Sequence, residues 1–459
     1  RMAWTMRFVG IITLGTLVLS SLSAAGMSEE TFSTWYGDMA GRYEIEEVEN
    51  TGLTVFPTLD IPMGGEYEAL GSAYTAAARD VTFLEANPAA SSNLENTELA
   101  VFHNNLIADT NMESAAYTTR IEDFGTGVGV KYLHVPFTEY DDFGVQQATA
   151  RYSEAIAAFN VSYNFLNSFY FDGVAAGANV KLAYRNIPEV IVPDQSAAGV
   201  MVDFGVLSRF DLLKFYPSRA RNFAVGTTLR NVGPEVLEEP LPTVWSIGTA
   251  YSPLRPLLLS FDVNVPLLPF SDLSPPGPGY AFGTAVTVTD FFTIRGGYQI
   301  KGGNPRINMG GSVRIQDMTV TVNYTLDMTT QLAAFDRFSL QAGFSLGDRG
   351  RGARQDTVRA LYLDALEAFA AGDLEETIEL TDEALILDPT FQPAEETRAM
   401  ASRMLELQNQ MDRIRTGTTE NDVLPGEAAG DRESPTQDNG GGEGDGTPES
   451  TETGSGDTE

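Results

Sequence analysis

Between Gly279 and Leu326 the chain obeys one rule four times in succession. Tyr280, Phe282, Val286 and Val288 alternate with Ala281, Gly283, Ala285 and Thr287. After a turn at Thr289-Asp290, Phe292, Ile294, Tyr298 and Ile300 alternate with Thr293, Arg295, Gly297 and Gln299. Ile307, Met309, Val313 and Ile315 then stand against Asn308, Gly310, Ser312 and Arg314. Past Gln316-Asp317, Met318, Val320, Val322, Tyr324 and Leu326 stand against Thr319, Thr321, Asn323 and Thr325. Period-two alternation sends the two sets to opposite faces of a sheet. The second set is small, polar or charged and never bulky and apolar. A soluble sandwich with its apolar face inward produces the same alternation, so strand length and connectivity have to decide.

They favour a membrane. Fourteen candidate strands run at approximately 97–106, 112–122, 124–134, 152–165, 170–186, 197–210, 221–233, 242–253, 256–266, 279–289, 290–300, 305–315, 318–327 and 337–347. Most reach the roughly 9–11 residues of a tilted spanning strand, whereas soluble strands cluster near about 5–6. Tight turns at Asp123-Phe124, Thr289-Asp290 and Gln316-Asp317 alternate with longer links at Val135–Arg151, Pro188–Ser196, Pro234–Leu241 and Pro266–Pro278. Short turns at one end and long loops at the other mark an outer-membrane barrel. The exception is Asp211–Arg221, long where a short turn belongs, and readable as a helix or a miscounted strand. In hydrocarbon every backbone donor must be paired, so the sheet must close. The expected fold is therefore an all-β transmembrane barrel of about 14 antiparallel strands over residues 96–347. Its lumen is too wide for wall side chains alone to fill, and residues 26–95 are the available plug.

Composition removes other classes. Mean hydropathy of -0.12 and a hydrophobic fraction of 42% exclude a bundle of membrane helices. A net charge of -34 argues against nucleic acid, which is bound through clustered Lys and Arg. Without any Cys there are no disulfides, thiolate metal sites or thiol nucleophiles. Arg1 and Arg7 before the short apolar run Phe8–Leu19, then the small residues Ser21–Ala25, describe a secretory signal over residues 1–25.

Residues Glu66 to Ala90 stand out within the acidic N-terminal segment. Gly71, Ala73, Ala76, Ala77 and Ala78 suggest a helix with small faces that packs close to other backbone, and Asn87-Pro88 is a turn signal. Asp80 falls near the expected helix end, where the dipole disfavours an acid, and so calls for a cationic or backbone partner. A surface helix ending in a turn is the plainer alternative.

The pattern Gly71-x-Ala73, Asp80 and Asn87-Pro88-Ala89 resembles the N-terminal region of the long-chain fatty-acid outer-membrane transporter (FadL-like) superfamily. It is closest to the branch holding PorV-type proteins and spirochaete relatives. The chain departs from that pattern at Leu70, where a Met often precedes the glycine, and at Phe83, where a small residue often follows the acid. The resemblance implies that the Asn-Pro-Ala turn belongs to a hatch plugging a fourteen-stranded barrel. It also implies passive inward movement of hydrophobic molecules, long-chain fatty acids foremost, with no cofactor.

By the alternation Arg230, Asp262, Arg295 and Arg314 face the lumen. The arginines either pair with plug acids such as Asp80 or lumen carboxylates, or receive a substrate carboxylate. This makes Arg230, Arg295 and Arg314 the candidate ligand-binding residues. The Pro-stiffened stretch Val265–Gly279 is either a landing surface for lipid or a packed loop. Enzymatic readings find little support. His103 and His134 are the two histidines and lack metal spacing, and Gly125-Thr-Gly-Val-Gly129 lies in a strand pattern rather than before a helix.

Residues 348–355 read as a basic, Gly-rich linker. Over 356–415, Leu361, Ala365, Phe369, Gly372, Leu374, Ile378, Ala384, Leu385, Asp388 and Pro389 match a tetratricopeptide-like spacing. An ordinary helical hairpin is the alternative. A module of this type fits a periplasmic protein partner. Residues 416–459 lack large apolar side chains and are expected to be a disordered acidic tail. The sequence thus reads as an outer-membrane transporter of fatty acids or lipids. The alternative is a PorV-like barrel that shuttles or anchors proteins through its helical module.

Overall fold

The computed structural model describes residues 54–106, 110–140, 143–144, 146–189, 194–218, 220–271, 275–301, 304–327 and 337–420. The expected signal segment 1–25, the start of the plug segment and the tail beyond Glu420 lie outside the described residues.

Fourteen antiparallel strands close on themselves, each paired with its sequence neighbours and β1 with β14. They are β1 Glu98–Asn105, β2 Asn111–Ile121, β3 Phe124–Tyr140, β4 Gln146–Asn167 and β5 Asp172–Asn186. β6 Ala197–Phe210, β7 Phe223–Val232, β8 Thr243–Tyr251, β9 Leu257–Leu267 and β10 Gly279–Thr289 follow. β11 Phe292–Lys301, β12 Asn304–Ile315, β13 Met318–Asp327 and β14 Arg337–Ser345 complete the ring. Around the ring each strand is paired on both sides, which is the condition for a sheet surrounded by hydrocarbon.

The two faces are inverted relative to a soluble protein. Val128, Val130, Phe159, Leu182, Phe204, Ile247, Phe282, Val322 and Tyr324 are exposed on the outer wall. The intervening Asn160, Asn179, Asp203, Ser246, Asp262, Ser312 and Asn323 are buried inside. An apolar exterior around a polar interior is stable only where lipid replaces water, so this is a transmembrane barrel.

Three local readings of the sequence are corrected. Val135–Arg151 is mostly not a loop, because β3 and β4 pair onward through Tyr140 and Gln146. Val135 and Tyr152 are partners there, so the hairpin projects past the neighbouring strands. Asp211–Arg221 holds neither a helix nor a strand among its described residues. It is an irregular loop in which Arg221 bridges Asp211 and Asp172. The small-faced helix also fails to form. Helix α1 covers only Gly65–Ala69, turns follow, and α2 is Phe83–Ala86. Gly71 and Ser72 adopt φ of 64° and 65°, which breaks a right-handed helix. The freed amides of Tyr74 and Thr75 bond instead to Asp262 across the lumen.

Three helices follow the last strand: α3 Arg351–Ala371, α4 Leu374–Leu387 and α5 Gln392–Glu420. The helix begins inside the stretch expected to be linker, because Asp348 accepts from the amides of Gly350 and Gly352 and so caps its first turn. Those two amides hold the exposed Asp348 carboxylate below its ordinary value. Gly372 ends α3 in the left-handed region, φ 85°, as its position in the sequence suggested. Helix α5 runs through Glu420, past the expected start of the tail at 416. Val358, Ala384, Phe391 and Ala394 form a small core against Phe169 of the β4–β5 turn. Arg351 donates to the carbonyls of Leu94 and Glu95, and Arg354 pairs with Glu122. The described residues from Ser402 to Glu420 belong to a second unit.

Candidate functional site

The lumen is occupied by the segment before β1. Residues 54–94 touch inward-facing positions all round the ring, from Asn104 on β1, which donates to Met63 O, to Ser339 on β14, which donates to Glu68. The core of the molecule, including Tyr74, Phe83, Leu84 and Leu94, is formed by this segment against the inner wall.

Glycines on the inner face let it approach. A Cβ added to Gly297 would lie 2.1 Å from the Gly71 nitrogen, and one on Gly177 2.3 Å from the Pro88 oxygen. The run Gly125, Gly127, Gly129 on β3 receives Ser91, Phe83 and Leu84 in turn. This explains the glycine motif in a strand: alternate glycines remove the side chains from one face. Asn87 then fixes the turn that precedes β1. Its amide donates to Thr75 O at 2.7 Å and Val206 O at 3.1 Å, and its oxygen accepts from Ala89 N. Pro88 and Ala89 are buried behind it, and Asn160 donates to Pro88 O at 2.9 Å. Asp80 accepts from the Tyr74 hydroxyl and the Thr82 amide. Gly71, Ala73, Asp80, Asn87, Pro88 and Ala89 are therefore all within this lumenal segment.

Charge holds the same contact. Arg295 forks onto Glu66, which Arg79 also pairs at 2.6 Å. Glu68 takes Arg337 at 2.5 Å, and Glu85 takes Lys131 at 2.5 Å. Asp262 accepts the backbone N–H groups of Tyr74 and Thr75 at 3.0 and 2.8 Å. Buried carboxylates satisfied by cations and amides resist removal of either partner.

Between this segment and the strand ends that meet the long loops lies a cavity of ≈ 90 Å³. Its walls carry six cations, Lys131, Lys181, Arg230, Lys301, Arg306 and Arg337, against the two acids Asp60 and Glu85. Lys181 pairs with Asp203 at 2.7 Å and Lys301 with Asp60 at 2.8 Å. Arg230 differs: its partners are the Tyr67 hydroxyl, the Glu85 carbonyl and the Ser246 hydroxyl, all neutral, and its Nε is buried without one. Four of the six cations are thus neutralised by carboxylates, Lys131 and Arg337 by Glu85 and Glu68, so it is at Arg230 that the cup is suited to an anionic head group. The space holds several waters but falls short of the roughly 300 Å³ at which small-molecule pockets begin.

The three candidate arginines therefore part company. Arg230 lines the cup. Arg295 is committed to Glu66 and Ser312. Arg314 is exposed beside the Gln316-Asp317 turn, at the opposite end of the barrel from the cup. Arg314 keeps the inward parity of Asn308 and Ser312 but sits at the last pairs of the ladder, where the barrel end leaves its side chain exposed. Sequence reasoning missed Lys131, Lys181, Lys301, Arg306 and Arg337. Lys131 shares parity with Gly125–Gly129 and Lys181 with Asn179, so inward register was the available signal. On the Val265–Gly279 stretch, Phe270 is exposed, and 272–274 lie outside the described residues.

A family model described as Uncharacterised protein family (UPF0164) matches residues 37–347. Two UPF0164 proteins of Treponema pallidum (strain Nichols) align along most of the chain. One is 28% identical over 377 residues, 79% of this chain and 86% of the relative. The other is 25% identical over 384 residues, 77% and 76%. Among solved structures, the Ralstonia pickettii toluene transporter TbuX has a TM-score of 0.44 at 10% identity, covering 61% of this chain and 98% of that one. The TodX deltaS2S3 mutant monoaromatic hydrocarbon channel has a TM-score of 0.40 at 13% identity, covering 57% and 92%.

Proposed function

The chain belongs to the UPF0164 family, and from that premise we propose that it is an outer-membrane transporter that passively admits hydrophobic molecules with an anionic head. Long-chain fatty acids are the foremost substrate. The observation that carries this reading is the cationic cup above the lumenal segment, with Arg230 bonded only to neutral partners among the described residues. The head group exchanges for those partners at Arg230, and the guanidinium then gains a charged acceptor it lacks at rest. The acyl chain exceeds the cavity, so passage requires residues 54–94, acting as a plug, to shift and open a lateral or axial path. The resemblance of residues 60–347 to the fatty-acid transporter superfamily supports the same reading.

The test is uptake of a labelled long-chain fatty acid by vesicles holding the purified barrel. Arg230→Glu should lower uptake about tenfold, the equivalent of about 1.4 kcal/mol, with the barrel still folded. Arg314→Glu should leave it unchanged. Equal uptake in wild type, Arg230→Glu and empty vesicles would overturn the proposal. A second reading, a PorV-like barrel that holds exported proteins, is favoured by the helices seated on the short-turn end through Phe169 and Phe391. A stable co-purifying exported protein, with no bound lipid, would select it.

A further inference from the structure

Along α5 an exposed apolar stripe has coiled-coil spacing. Met404, Leu407, Met411 and Ile414 recur at intervals of three and four residues, and Met400 continues the series backwards. All five are more than half exposed, so this face does not belong to the packing of Ala394, Thr397 and Ala401 earlier on the same helix. With Met404 at heptad position a, Leu407 is d, Met411 is a and Ile414 is d, the narrow seam of a two-helix coil.

We propose that this seam pairs with the same helix of a second copy, in parallel register. The flanking positions carry the argument. The chain has 63 acidic and 29 basic residues, yet no acid occupies an e or g position beside the seam from Ala401 to Arg415. Glu406 and Asp412 fall at c and b. In parallel register Arg403 at g meets Gln408 at e of the second copy, and Gln410 at g meets Arg415 at e. No like charges face each other, and each arginine meets an amide acceptor. The seam is also self-matching, methionine against methionine, leucine against leucine and isoleucine against isoleucine. Copies inserted in one bilayer share an orientation, which presents identical helices in parallel. Some fifteen residues of seam are marginal for free helices. Tethering to a membrane supplies the effective concentration that makes such a contact persist.

The absence of native cysteine makes the test clean. Leu407→Cys on the seam and Asn409→Cys on the outer side are placed singly in the full-length, membrane-inserted protein and oxidised. A disulfide needs Cα atoms about 4.4–6.8 Å apart, so Leu407→Cys should give at least fivefold more cross-linked dimer than Asn409→Cys. Equal yields at the two positions reflect collision and overturn the proposal. So does a Leu407→Cys adduct with a protein of different mass, which would assign the seam to a foreign helix. In a Met411→Cys reporter, adding Leu407→Asp should abolish the dimer while gel mobility still reports a folded barrel. A dimer that persists refutes the pairing.

Discussion

Gly297→Ala separates the lumenal segment from the wall that holds it. The new Cβ would lie 2.1 Å from the Gly71 nitrogen and 2.4 Å from the Leu70 carbonyl carbon, against about 3.4 Å for ordinary contact. One of the two backbones must retreat by more than an ångström. The wall does not yield readily: Gly297 is held between Gly283 and Asn308 in a closed ladder, and alanine in a strand is favoured over glycine by roughly 0.5–1 kcal/mol. The segment is held locally by the two amide bonds to Asp262 and by the Glu66–Arg295 pair. Bonds to a charged group are worth roughly 1.5–3 kcal/mol each, and overpacking costs typically about 1–3 kcal/mol. A net shift of about 2 kcal/mol raises the displaced population roughly thirtyfold. Tryptic cleavage after Arg79 and solute flux through reconstituted barrels should both rise, with heat-modifiable gel mobility unchanged. Gly296→Ala is the control, since its Cβ would face outward and meet only Thr284 Cγ2 at 3.7 Å. Unchanged cleavage and flux in Gly297→Ala, or a barrel that unfolds while Arg79 stays protected, would refute the reasoning.

Other expectations follow from the same contacts. Asp262→Ala should raise tryptic cleavage after Arg79 much as Gly297→Ala does, because the amides of Tyr74 and Thr75 lose their shared acceptor and the backbone there is freed. Phe391→Ala removes a buried ring that meets Phe169 at 5.1 Å and Tyr362 at 5.2 Å. It should lower the stability of the helical cluster by about 3 kcal/mol, read as an earlier helical melt in circular dichroism with the barrel melt unmoved. Asp348 has a lowered folded pKa, so its contribution is present above the unfolded value of 3.8 and is lost as pH falls through the folded value. The helical melt should therefore be flat above about pH 5 and fall only below about pH 4, and Asp348→Asn should remove that dependence.

Strand positions were legible because the barrel is a local rule repeated. Alternation and turn spacing placed β10 to β13 within two residues of their observed ends, and Val322 and Tyr324 do face outward. Alternation reports only which side a residue faces, never what stands opposite it. Nothing local marks Glu66 as a buried partner, because its Arg295 lies 229 positions away. The helix expected around Gly71 was a sound inference from alanine content, but propensity is a weak prior that tertiary contacts override. Here the contact is between Gly71 and Gly297, and each glycine is uninformative without the other. The site was half legible for the same reason. Lys131 and Lys181 announce themselves only when inward-facing cations are sought on every strand, since a cation there must have a partner or a ligand. Arg295 and Arg337 have Glu66 and Glu68 as partners. Among the described partners of the cup's cations, those of Arg230 are a phenol, a carbonyl and a hydroxyl.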